Sequence, residues 1–355
     1  MKRFFIQFIV TFIFLLGAVC FFSWKVDPFF QYREPMEQEK AYMHMPVYQT
    51  AGAARNFRYD SAIVGSSMTE NFRSSWFDEM DLNTVKLSYS GARTTDLRAI
   101  LEQVYASDNE IKYVFMDVND YQLTTSPTSY YTKRPDYLYD GKVWNDGEYL
   151  LNNDIFWMSV GRVAEKVLDK QPDIDDAYTW EDPELFSGAS VLNQNRYTFE
   201  NLRNRQAEGN ISEYDREKCL NCCKDNINNV LPIIEQHPET QFVIFLPPYS
   251  MVYWEERILY DELEVTLEMY HYFASKLLER ENVRVFYFQD EEEIITNLDL
   301  YRDSCHYAPQ INRYIFDCIK DGKQEVTEDI LEERIRNMYR IASEYNYQEM
   351  WDKYE

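Results

Sequence analysis

Residues 241–246 read QFVIFL, apolar at every position after the first and closed by Pro247-Pro248. A strand that is apolar on both sides must be covered on both sides, which places it inside a sheet with helices above and below. Four further runs read as strands, at 61–64, 84–87, 112–118 (KYVFMDV) and 283–288. Helical patterns alternate with them at 69–80, 95–106, 217–236, 256–280 and 308–318. A last helix is expected over 327–345, with Thr327 as N-cap and Glu328 and Asp329 in its first turn. Pro232 falls inside the helix at 217–236 and is expected to bend it.

This alternation predicts an α/β fold with a doubly wound, five-stranded parallel sheet in the order 2-1-3-4-5. In that order a crevice opens where strands 1 and 3 part, beyond their carboxyl ends. Strand 1 ends in Gly65-Ser66-Ser67 and strand 3 in Asp117-Val118-Asn119-Asp120. Two polar strand ends therefore meet at the expected ligand position.

The N-terminus obeys a different rule. Met1-Lys2-Arg3 precedes an apolar run from Phe4 to Trp24, interrupted only by Gln7, Thr11 and Ser23. About twenty apolar residues cross a bilayer as a helix. Lys2 and Arg3 place the N-terminus in the cytoplasm and the body outside. A cleaved signal peptide has a shorter apolar core and an Ala-x-Ala site, which is missing here. The expected organisation is an anchor at 1–24, a stem at 25–57, an α/β domain at 58–322 with an insertion at about 120–209, and a C-terminal helix at 323–355.

The formal net charge of −25 excludes a nucleic-acid binder, which needs a basic face. Cys219, Cys222 and Cys223 cluster on one helix, but no second cysteine pair or histidine doublet completes a zinc site. No metal site, phosphate loop or cofactor fingerprint is legible.

A serine nucleophile needs a base, and the base an orienting carboxylate. The chain has four histidines. His44 lies in the stem, His237 follows a helix, and His271 has the place of a surface residue in mid-helix. His306 lies in RDSCHYAP, before a helix, with Asp303 one turn of chain earlier. Alone, Asp-x-x-His is a weak signal. In order along the chain, however, stand GSSM after strand 1, YSGA after strand 2, DVND after strand 3 and DSCH before the last sheet-packing helix.

This order of blocks resembles the SGNH (GDSL-like) hydrolase superfamily over roughly 61–320, leaving 120–209 unmatched. The resemblance implies Ser67 as nucleophile, His306 as base and Asp303 as its orienter. It implies an oxyanion hole made by the N–H of Ser67, the N–H of Gly91 and the side-chain amide of Asn119. Ser66 stands where the family has the aspartate of Gly-Asp-Ser, and Asp117 where it has the glycine of Gly-x-Asn-Asp. Ser66 is expected to bond local backbone, and Asp117 to point away from the site. The α/β-hydrolase elbow fits less well, because Thr69 occupies the position of its second glycine.

Arg93, Tyr130 and Tyr131 are candidate substrate contacts, the tyrosines in an aromatic insertion that also carries Lys133 and Arg134. The resemblance implies a bacterial, membrane-anchored esterase that removes small acyl groups from cell-envelope glycans, with no cofactor. It extends to the D-alanine transfer and alginate O-acetylation proteins. The alternatives are thus an O-acyltransferase or accessory subunit beside a membrane-bound O-acyltransferase, and a non-catalytic scaffold.

Overall fold

The computed structural model describes residues 1–35, 45–131, 134–168, 175, 182–208 and 216–354. His44, Lys133 and parts of the insertion lie outside them. The chain begins with α1 (Lys2–Val26) and α2 (Pro46–Asn56), then β1 (Ser61–Gly65), β2 (Thr84–Ser88), α3 (Thr94–Tyr105), β3 (Tyr113–Asp117) and the short α4 (Asp120–Thr124). The insertion holds α5 (Gly147–Leu150), α6 (Asn153–Val167) and α7 (Gly188–Ala207). Then come α8 (Arg216–Gln236), β4 (Gln241–Leu246), α9 (Met251–Leu259), α10 (Leu263–Leu278) and β5 (Val283–Tyr287). The chain closes with α11 (Glu292–Ile295), α12 (Pro309–Asp321), β6 (Glu325–Val326), α13 (Glu328–Glu344) and α14 (Tyr347–Tyr354).

The sheet order is β2-β1-β3-β4-β5-β6. The first five strands are parallel and follow the expected order, so the crevice lies between β1 and β3. The sheet has six strands rather than five, and the sixth is antiparallel to β5. Its two residues are too few to leave a period-2 signal in the sequence. The β4 residues Phe242 to Leu246 are buried throughout, as a strand covered on both faces requires.

Two helices depart from expectation. Residues 69–80 form 3-10 turns at Ser67–Thr69 and Ser74–Met80. The buried Lys86 ammonium donates to the carbonyls of Glu70 and Phe72, at 2.7 and 3.0 Å, taking acceptors that a helix would use. The helix read at 256–280 is split into α9 and α10. Asp261 sits at φ 60, a left-handed conformation that ends the first helix and starts the chain on a new axis.

By length and composition α1 is long and apolar enough to cross a membrane. Its C-terminal end packs on α6, where the rings of Phe22 and Phe156 lie 5.6 Å apart.

Gly65 ends β1 because of space. A Cβ there would lie 2.2 Å from Asp117 Oδ1 and 2.6 Å from the Thr69 side chain. Gly65→Ala is therefore expected to lower stability by about 1–3 kcal/mol, the usual cost of overpacking, in denaturant titrations of the detergent-solubilised protein. Unchanged stability would show that β1 and β3 can separate at this end without penalty.

Candidate active site

Beyond Gly65 the chain is held by the carboxylate of Asp117 at the end of β3. The backbone N–H of Ser66 donates to Oδ1 and the Ser66 hydroxyl to Oδ2, each at 2.8 Å. The amide of Asn119 donates to Oδ2 at 2.5 Å and to Ser66 Oγ at 2.8 Å. Asp117 thus faces the serine loop from below and does not point away from it. Ser66 also accepts from the Met68 N–H at 3.3 Å, but its chief partners come from β3 and the turn after it. The two residues that break the block pattern are bonded to each other.

With Ser66 turned inward, Ser67 projects into the crevice. Its Oγ lies 2.8 Å from His306 Nε2. Nδ1 of the same ring lies 2.8 Å from Asp303 Oδ2 and 3.0 Å from Oδ1. Oδ1 also accepts the N–H groups of Cys305 and His306, at 2.9 and 2.8 Å, so the carboxylate shapes the loop as well as meeting the ring. The loop is closed by a bridge between Tyr301 and Tyr307. Asn312, in the first turn of α12, donates to the Met68 carbonyl at 2.9 Å and ties the loop to the serine turn.

Burial acts to raise the Asp303 carboxyl. The His306 side-chain bond, the His306 charge and the two backbone donors outweigh it and hold the group below its ordinary 3.8. Asp117 is the reverse case, since burial dominates and raises it despite the donors from Ser66 and Asn119. Burial pushes the Cys305 thiol far up, so the cysteine next to His306 stays protonated and is a poor nucleophile.

Gly91 lies at φ 73, which a side chain would strain, and its added Cβ would meet only the Tyr131 ring, at 3.6 Å. Asn119 caps α4 by accepting the Gln122 N–H, which fixes the direction of its amide nitrogen. The distances of 2.5 and 2.8 Å to its two acceptors, themselves 2.8 Å apart, set about 60° at that nitrogen, half the angle between its N–H bonds. Both acceptors therefore lie on the Asp117–Ser66 side of the amide.

Ser67, Gly91, Asn119 and His306 line one cavity of about 460 Å³. Arg93, Tyr130 and Tyr131 are not among its lining residues. Arg93 donates to the Tyr121 hydroxyl, Tyr130 stacks under Arg134, and the Tyr131 N–H is taken by Asp96. The far wall comes instead from Asp120 and from Tyr249, Tyr253 and Arg257, which follow β4. Asp120 Oδ1, the Tyr253 hydroxyl and Arg257 Nε are buried there without a hydrogen-bond partner among the described residues. The signal for this wall was the position of PPYSMVYWEER at the carboxyl end of a central strand, where ligands of such sheets bind. Among the described residues no cluster of metal-ligating side chains occurs.

No family model and no curated protein matches the chain. Among solved structures it is similar to a Streptococcus pneumonia protein provisionally described as a platelet activating factor, at 8% identity and a TM-score of 0.40. The match covers 78% of this chain and 90% of that one.

Asp303 and Asp117 are expected to change stability with pH in opposite senses. A depressed carboxyl stabilises the fold above its unfolded value and loses that contribution as pH falls through the folded value. A raised one stabilises fully below the unfolded value and loses its contribution as pH rises through the folded value. The stability difference between wild type and Asp303→Asn should therefore grow as pH rises toward about 3.8, and that between wild type and Asp117→Asn should shrink as pH rises above about 3.8. Denaturant titrations across the acid range measure both slopes, and slopes of equal sign would contradict the assignment.

Proposed function

We propose that the chain is a serine hydrolase of the SGNH type that removes small acyl groups from hydroxyls of extracytoplasmic glycans. The observation that carries this reading is the unbroken path from Ser67 Oγ through the His306 ring to the Asp303 carboxylate, with both contacts at 2.8 Å. Asp303 holds the Nδ1–H tautomer, leaving Nε2 as acceptor. Ser67 Oγ attacks the ester carbonyl while its proton passes to Nε2. The tetrahedral oxyanion is held by the N–H groups of Ser67 and Gly91 and by the side-chain amide of Asn119. His306 returns the proton to the departing sugar hydroxyl, leaving an acyl-serine. Water then attacks the acyl-serine, again through His306, releasing the carboxylic acid and restoring Ser67.

The far wall supports a polyhydroxyl substrate. A buried carboxylate oxygen, a phenol and a guanidinium N–H offer both acceptors and donors, and a hydroxyl can answer each. The apolar length of α1 and the Lys2-Arg3 bias support an anchored chain with its body outside the membrane. An acyltransferase beside a membrane partner uses the same acyl-serine with a hydroxyl in place of water. The scaffold reading loses its motive, because Ser66 and Asp117 compensate each other across the β1–β3 gap.

Ser67→Ala is expected to abolish labelling by a fluorophosphonate and to lower aryl acetate hydrolysis by about a thousandfold or more, with the melting temperature unchanged. Ser66→Ala keeps the label on Ser67 and costs about 1 kcal/mol of stability. A label on Ser66, read by mass spectrometry, would overturn the assignment. Turnover that appears only with a membrane acyltransferase present would select the transferase. Tyr253→Phe should raise KM for an acetylated sugar and leave that for an aryl acetate unchanged. An equal change for both esters would remove Tyr253 from sugar recognition.

A further inference from the structure

Helix α6 is apolar on the side that faces outward. Ile155, Ser159 and Arg162 recur at helical spacing and are buried against the body. On the opposite face Trp157, Val160, Val163, Val167 and Leu168 are exposed, from 37% at Val160 to 79% at Val167. A surface helix in water has the reverse pattern, with polar residues outward. Exposed large hydrophobic residues elsewhere on the described body are scattered, apart from those of α1 itself.

We propose that the outer face of α6 lies in the lipid boundary of the same bilayer that α1 crosses, so that the body rests on the membrane along a second helix. The inference rests on the reading of α1 as a membrane span. Its position relative to α1 identifies lipid as the occupant. Phe156 packs on Phe22, about 6 Å before the end of α1 at the rise of an α-helix. An interfacial helix buries its apolar face about 5–10 Å into the headgroup and acyl boundary, which is the level at which α6 meets α1. From Phe4 to Ala18 the surface of α1 is exposed, so the exposed stripe of α6 continues a surface already suited to lipid. The exposed tryptophans among the described residues are Trp24 at the end of α1, Trp157 on α6, and Trp144 just before α5, which also packs on α1. Tryptophan concentrates at the headgroup level, where its ring is half in apolar surroundings.

The test uses the full chain in phosphatidylcholine vesicles, with benzoylphenylalanine introduced singly in place of Val10, Val160, Val163 or Tyr339. Val10 reports α1 alone, and Tyr339 is an exposed aromatic on α13. After irradiation, mass spectrometry is expected to find lipid adducts at 10, 160 and 163 and none at 339. Lipid at 10 with none at 160 and 163 would overturn the role of α6 and leave the anchor standing. No lipid at any position would overturn both. Protein-sized adducts at 160 and 163 would overturn the lipid assignment and give the face to a partner chain.

Discussion

The serine side of the site depends on one buried carboxylate. Asp117 ends β3, and its two oxygens gather the Ser66 N–H, the Ser66 hydroxyl and the Asn119 amide. Strands β1 and β3 are paired up to Val64 and Met116, after which their ends part. Without a bridge across that gap, the turn carrying Ser67 and the turn carrying Asn119 would each be positioned by its own strand alone. Asp117 makes them one unit. The close approach is also why β1 ends in glycine, since a methyl group there would overlap the carboxylate.

The second half of the site is local in origin. Asp303 and His306 belong to one short loop, and the same Asp303 oxygen that touches the ring accepts two backbone N–H groups of that loop. Folding of the loop and orientation of the imidazole are therefore coupled. Asn312 and the Tyr307 hydroxyl both reach the Met68 carbonyl beside Ser67, and Ser250 holds the Ser304 carbonyl of the loop.

The parallel strands, their order and the crevice were legible because each rests on a pattern of several residues. An unbroken apolar run such as QFVIFL has few alternatives once helices flank it. The pair Asp303 and His306 was legible because it is local. What escaped was set by single long-range bonds. Nothing near residues 69–80 shows that Lys86, on a different strand, takes the carbonyls of Glu70 and Phe72 and leaves 3-10 turns in place of a helix. Ser66 and Asp117 each look like the loss of a needed group, because their complementarity exists only across the sheet. Arg93, Tyr130 and Tyr131, chosen for side-chain type, meet Tyr121, Arg134 and Asp96 and are not among the residues lining the cavity.

The exchange of Ser66 and Asp117 also bears on whether the site is used. Burying a carboxylate costs several kcal/mol unless donors surround it, and burial still raises Asp117 above its ordinary range with its donors in place. The sheet itself does not require this group. β1 and β3 are fully paired before it, and an apolar residue at the end of β3 would pack without desolvation cost. What the carboxylate does specifically is turn Ser66 inward, while Ser67 meets His306, and hold the Asn119 amide beside the same turn. A chain that needed only the fold gains nothing from that arrangement. A chain that needs a directed serine hydroxyl beside a fixed amide donor gains both from a single side chain.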